Sequence, residues 1–172
     1  MSRIAVPYTH RLADTLARLA SPGLLLSATK SSGESNIMTI GWGSVGIVWG
    51  RPVFTVLVRP SRYTYEFIEE SGEFAVSVPT VDMQRYVMLC GTRSGRDMDK
   101  LVGLGRVASP GKTVRAVSLD SSPLVYECKV VHHNDVIPDH LAPEIEAKSY
   151  GGQDYHRLYF GEITGTFAFT NY

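Results

Sequence analysis

Two segments about thirty residues apart gather the cations and hydroxyls of this chain into turns: Arg59-Pro60-Ser61-Arg62-Tyr63-Thr64 and Cys90-Gly91-Thr92-Arg93-Ser94-Gly95-Arg96-Asp97-Met98-Asp99-Lys100. Each turn lies beside an expected helix start. Helix N–H groups and cationic side chains both favour anions, so the chemistry these segments suit is phosphate binding. In the first, Arg62 can donate two parallel hydrogen bonds to a phosphomonoester, which carries close to two negative charges and three acceptor oxygens. Ser61, Thr64 and the helix N-terminus can satisfy the remainder. A plainer reading, compatible with that one, makes Ser61 or Thr64 a helix cap beside an exposed Arg62. The second segment also reads as a polar loop with a solvated Arg-Asp-Asp-Lys cluster.

Other chemistries fit poorly. Gly41-Trp42-Gly43-Ser44-Val45-Gly46 spells the dinucleotide pattern GxGxxG, and Glu66 follows about twenty residues on, but the pattern requires a following helix. Ile47 to Pro52 is β-branched, aromatic and closed by a proline. The glycines instead allow a tight turn or close approach of backbone to a planar ring. The second cationic segment lacks the Gly-Lys-Ser/Thr ending of a nucleotide-hydrolase loop. His132 and His133, with Asp135, are adjacent on an expected strand and point to opposite faces, so no metal site is expected. Ser44 lacks the strand–turn–helix setting of a nucleophile elbow.

The elements that must hold these residues are mostly strands. Residues 24–29 and 36–40 read as a hairpin across the turn 30–35, and 53–58 is a continuous apolar run typical of a strand buried on both faces. Strands are also expected at 74–78, 114–119, 125–131 and 158–169. Helices are expected at 9–20, ended by Pro22-Gly23, at 63–71 with Gly72 as the stop, at 81–89 and at 99–104. Residues 1–22 form a helical lead-in, and 134–154, rich in Pro, Asp and Gly, a long surface connection. Strands with irregularly placed short helices indicate a mainly β domain, a β-barrel with short helices, rather than a doubly wound sheet.

The 172 residues suit one domain, and the 44% hydrophobic content is enough for a core without disulfides. Lys plus Arg equals Asp plus Glu at 17 each, so no overall field recruits nucleic acid or an acidic membrane. No stretch reaches the length of a membrane span, and residues 1–7 have no apolar export core. Cys90 and Cys128 match no ligand or redox spacing and read as reduced thiols in a cytoplasmic protein.

The order NIMTIGW, RPSRYT, CGTRSGRDMDK, YECKVV and HRLYFGEI resembles the flavin reductase-like family that binds FMN, especially its flavoredoxin branch, over about residues 24–167. The resemblance implies a Greek-key FMN-binding split barrel and a homodimer with a flavin near each interface. It implies an oxidoreductase passing electrons from NAD(P)H through FMN to an unspecified acceptor. A flavin-binding carrier reduced by a partner protein, or a non-catalytic sensor or interaction module, are the alternatives. No catalytic acid or base is assigned. The implied cofactor-binding residues are Asn36, Ile37, Met38, Thr39 and Trp42 toward the isoalloxazine, with Ser61, Arg62, Tyr63, Thr64, Gly91, Ser94 and Gly95 toward the phosphate. Lys100 is expected at the flavin or its phosphate, while Asp97 and Asp99 hold the loop. Without the resemblance, residues 36–40 read equally as plain hairpin packing. Family members commonly have a histidine directly after Asp; here Tyr155 separates Asp154 from His156, so His156 is either part of the site or structural.

Overall fold

A computed structural model describes residues 2–103, 105 and 108–172. Among the described residues, ten strands and five α-helices follow in the order β1 (Arg3–Ala5), α1 (Leu12–Ala20), β2 (Leu24–Thr29), β3 (Ser35–Ile40), β4 (Gly43–Val48), β5 (Arg51–Val58), α2 (Tyr63–Ser71), β6 (Glu73–Val78), α3 (Gln84–Thr92), α4 (Lys100–Gly103), β7 (Ala108–Pro110), β8 (Val117–Leu119), β9 (Leu124–Asp135), α5 (Pro143–Ser149) and β10 (Arg157–Phe169). The main sheet is antiparallel in the order β3-β2-β6-β9-β10-β5-β4, with β1 added to the far end of β10. Its two end strands, β3 and β4, are joined by only Gly41 and Trp42. Two residues span at most about 7 Å, so the sheet must curl until its edges nearly meet. The result is a mainly β split barrel, and the Gly41-Trp42 link lies on its seam.

Apolar residues on the concave face fill the barrel. Phe54, Phe67, Phe74, Tyr126 and Tyr159 are fully buried with Leu24, Leu26 and Val56. Phe54 meets Tyr126 edge-on at 5.4 Å between ring centroids, an arrangement that aligns ring edge with ring face. β10 carries Gly161 where the register with β9 shifts; a Cβ there would lie 2.3 Å from Phe74 Cζ, so the glycine lets β10 cross the Phe74 ring. A second cluster, Leu25, Ile37, Met83, Val87, Cys90 and Leu119, seats α3 on the outer face of β2 and β3.

Several expected boundaries change. The helix expected at 81–89 opens with a 3₁₀ turn, Val81–Met83, and α3 runs on to Thr92, because Met83, Val87 and Cys90 all continue into the second cluster. Cys90, Gly91 and Thr92 therefore form the last turn of a helix rather than part of the loop. The strand expected at 114–119 shrinks to Val117–Leu119. Its neighbouring backbone donors are captured by carboxylates instead of a ladder: Lys112 and Thr113 donate to Glu127, and Arg115 to Glu73. Residues 134–154 contain the end of β9 and helix α5, started by Pro143 at its first turn with Glu144 and Glu146 following. The lead-in 1–22 contains β1 as well as α1. Of the helix expected at 99–104, α4 covers Lys100–Gly103, and Leu104 lies outside the described residues.

Candidate flavin site

The turn after β5, the start of α2, the middle of β3 and the loop after α3 converge on one cavity of about 220 Å³. Asn36, Met38 and Thr39 come from β3, Ser61 to Thr64 from the β5–α2 turn and the start of α2, Gly91 and Thr92 from the end of α3, and Arg93 to Gly95, Asp97 and Lys100 from the segment after it. Of the residues singled out by sequence, Trp42 and His156 lie instead in an adjoining cavity of about 200 Å³, which shares Met38, Thr39 and Arg62 with the first. Ile37 faces neither of these two cavities: its side chain is buried with Leu25 and Met83, leaving only its backbone near β3's ligand-facing side.

The charges differ in how far they are already committed. Arg62, at the N-cap of α2, is exposed; its guanidinium has no hydrogen bond or ion pair among the described residues, and no side chain caps the helix. Cationic side chain and helix N-terminus thus favour an anion at the same place. Lys100 is 4% exposed, with Nζ donating to the Arg93 carbonyl at 3.2 Å and to the Cys90 carbonyl at 3.5 Å. An ammonium has three donors, so at least one remains for a ligand oxygen. Burial lowers the Lys100 pKa, Cys90 opposes that shift and Arg62 adds to it. Cys90 itself is pushed up to about 11 by burial and stays a thiol at neutral pH.

Hydroxyls expected to meet phosphate are used to build the walls. Ser61 Oγ donates to Asp154 Oδ2 at 2.6 Å, and its backbone N–H donates to the other oxygen of that carboxylate. Thr64 is fully buried, and its Oγ1 accepts from Asn36 Nδ2 at 2.9 Å. Neither supplies the expected cap. Tyr63 donates its hydroxyl to Glu34, and Ser94 Oγ accepts from the Arg96 N–H. Gly91 sits in the last turn of α3, so the segment leaves a helix C-terminus, where the dipole disfavours anions, and Lys100 offsets the exposed carbonyls. Asp99 caps α4 by accepting from Leu101 and Val102 N–H, a bracing role.

Gly95 sets how tightly the loop closes. A Cβ there would lie 2.1 Å from Asn36 Oδ1, so only a glycine lets this backbone reach the Asn36–Thr64 pair. An unpartnered arginine, a buried lysine, a free helix N-terminus and a glycine-closed loop fit a flavin mononucleotide phosphate, with Met38 and Thr39 leading from it toward Trp42.

Arg59, named in the first cationic segment, and Tyr150 were not among the implied cofactor-binding residues. Arg59 donates to the carbonyls of Asp154 and Ser149 and lies 5.2 Å over the Tyr150 ring. Tyr150 Oη lies 3.0 Å from His156 Nδ1, and Trp42 packs against the His156 ring at 5.0 Å. Burial, with Arg59 and Arg62 adding to it and Asp154 opposing, pushes the His156 pKa down to about 4. Nothing local in the sequence marks Tyr150, which joins the site through the 134–154 segment. Among the described residues no group of acids, histidines and cysteines could hold a metal ion.

The flavin reductase like domain family model matches residues 16–169. An uncharacterized protein of Pyrococcus abyssi is 30% identical over 130 residues, covering 76% of this chain and 64% of that protein. Another from Archaeoglobus fulgidus is 34% identical over 98 residues, covering 57% and 55%. The chain thus spans between about half and two thirds of these curated relatives. Among solved structures, flavoredoxin of Desulfovibrio vulgaris superposes with a TM-score of 0.70 at 25% identity, covering 87% of this chain and 70% of that one. Flavoredoxin from Methanosarcina acetivorans gives 0.68 at 27%, with the same coverage. With its family match, its split barrel and its solved neighbours in agreement, the chain belongs to the flavin reductase-like family.

Proposed function

We propose that this chain holds FMN and works as a flavin-dependent oxidoreductase, taking electrons from NAD(P)H and passing them to an acceptor. The observation that carries the reading is Arg62: an arginine whose guanidinium has no protein partner among the described residues, at an uncapped helix N-terminus, on a cavity that also holds Lys100. Arg62 and the first N–H groups of α2 would take the phosphate, and Lys100 with the β3 backbone near Met38 and Thr39 would face the polar edge of the ring. The bound flavin would supply the redox chemistry. The chain's own work is to orient the cofactor and to offset negative charge developing on it.

The same reading includes a cytoplasmic homodimer. Both cysteines are free and buried, and among the described residues no helix is long and apolar enough to cross a membrane. β4 ends the sheet, and Ile47 and Trp49 at its tip are 59% and 63% exposed, apolar surface that a second copy would cover.

The visible spectrum of the purified protein tests the reading first, and a yellow protein releasing FMN on denaturation is expected. Anaerobic NADH or NADPH should then bleach the flavin band. Bleaching by dithionite alone would overturn NAD(P)H dependence and favour a carrier reduced by a partner protein.

A further inference from the structure

Three cavities follow one another along β3 and the turns at its ends. Residues 38–42 line the ring end of the flavin site, residues 36, 38 and 39 its phosphate cavity, and residues 33–37 a further space of about 370 Å³ beyond the phosphate. A flavin laid along this line, ring near Trp42 and phosphate at Arg62, points its phosphate at the third cavity, where the adenosine half of FAD would have to lie. That volume falls within the ~300–1,000 Å³ of ordinary ligand pockets, so space alone does not keep an adenosine out.

A wall separates the second cavity from the third. Asn36, Tyr63, Gly95 and Lys100 border both. The Gly95 backbone stands so close to its neighbours that a Cβ there would run into the Asn36 amide and lie 2.9 Å from Tyr63 Cδ1, which leaves no passage for a phosphate chain between them. The Asn36 amide is held by Thr64, and Arg96, next to Gly95, ties the loop down from outside through the Ser61 carbonyl, Glu66 and the face of the Tyr63 ring. Charge changes sign across the wall. Arg62 and Arg93 outnumber Asp97 on the phosphate side, and the Lys100 ammonium is turned to the Cys90 and Arg93 carbonyls there. Beyond the wall, the charged groups among the described residues, the buried Lys100 apart, are the carboxylates Glu34 and Asp99. A second phosphate passing the wall would exchange cations for carboxylates, which is unfavourable.

We infer that this wall makes the site selective for the mononucleotide, with Gly95 and Arg96 as the residues that exclude FAD. The inference rests on the flavin reading above. Part of a preference for FMN comes from Arg62 itself, because a phosphomonoester carries close to two negative charges and each phosphate of a pyrophosphate diester only one. The wall's own share is the part that opening the loop removes.

Isothermal titration of FMN and of FAD into flavin-free wild type, Arg96→Ala and Gly95→Ala tests this through the ratio of the two affinities. Wild type should favour FMN by about tenfold or more. Arg96→Ala frees the loop, so FMN should weaken several-fold while FAD holds or gains, and the ratio should fall. Gly95→Ala pushes the same loop outward and should lower the ratio in the same direction, which keeps the test independent of either variant alone. A merely structural role for the two residues would weaken both flavins equally and leave the ratio where it was. Equal wild-type affinities for FMN and FAD, or a ratio unchanged in both variants, would overturn the inference and leave the flavin reading standing. Binding of neither flavin to wild type would overturn both.

Discussion

Arg96 donates from Nη1 to the Ser61 carbonyl at 3.1 Å, tying together two segments that stand 35 residues apart in the chain. The same guanidinium pairs with Glu66 and lies 4.8 Å over the Tyr63 ring. It fixes the distance between the Arg62 turn and the Lys100 loop without facing the cavity between them.

Arg96→Ala should therefore weaken FMN binding by about 1 kcal/mol while lowering stability by less, since exposed ion pairs contribute little. A flavin fluorescence titration paired with urea denaturation checks this. A stability loss larger than the binding loss would show that Arg96 serves the fold instead.

Gly95→Ala places a methyl group against Asn36 Oδ1 and must push the loop outward. The expected result is a loss of flavin affinity of tenfold or more, with the thermal midpoint little changed because the displaced loop is on the surface. An undiminished affinity would show that loop closure on Asn36 is not needed.

Glu127 is 3% exposed and accepts from the backbone N–H groups of Lys112 and Thr113 and from the Thr113 hydroxyl. Glu127→Gln replaces charge-assisted bonds and turns an NH₂ toward donors, so a loss of about 2–3 kcal/mol is expected in chemical denaturation. Flavin affinity, measured on the folded protein, should not change, because the Glu127 carboxylate lines neither cavity of the candidate site.

His156 gives a pH signature. Its folded pKa, about 4, lies below the ordinary histidine value, so the unfolded chain binds the proton more readily. The histidine adds no penalty above about pH 6.5, and stability falls as pH drops from there toward 4. The ring is only part-buried, and solvent screening limits the effect to the order of 1–2 kcal/mol. His156→Gln should flatten that part of the stability–pH curve; an unaltered slope would assign the acid sensitivity to other groups.

What could be read from the sequence was local. The pattern of the β5 run and the stop at Gly72 placed β5 and α2 correctly because burial and αL geometry act within a few residues. The Arg62 turn, the Lys100 loop and the Asn36 strand were each visible as compositions, and the fold brings them to one cavity. Long-range partners were not visible. Ser61 and Thr64 look like free phosphate ligands until Asp154 and Asn36 take their oxygens, and the 112–115 backbone looks like strand until Glu127 and Glu73 claim its donors. Tyr150 joins the site only because the end of α5 folds back onto Arg59 and His156.

The most direct measurement is the affinity of wild type and Arg62→Ala for FMN and for riboflavin, which lacks the phosphate. Wild type should prefer FMN, and the variant should lose about 1.5–3 kcal/mol on FMN and little on riboflavin, the loss of a charge-assisted bond to phosphate. Equal wild-type affinities for the two flavins, or an FMN affinity unchanged in a folded Arg62→Ala variant, would contradict the account.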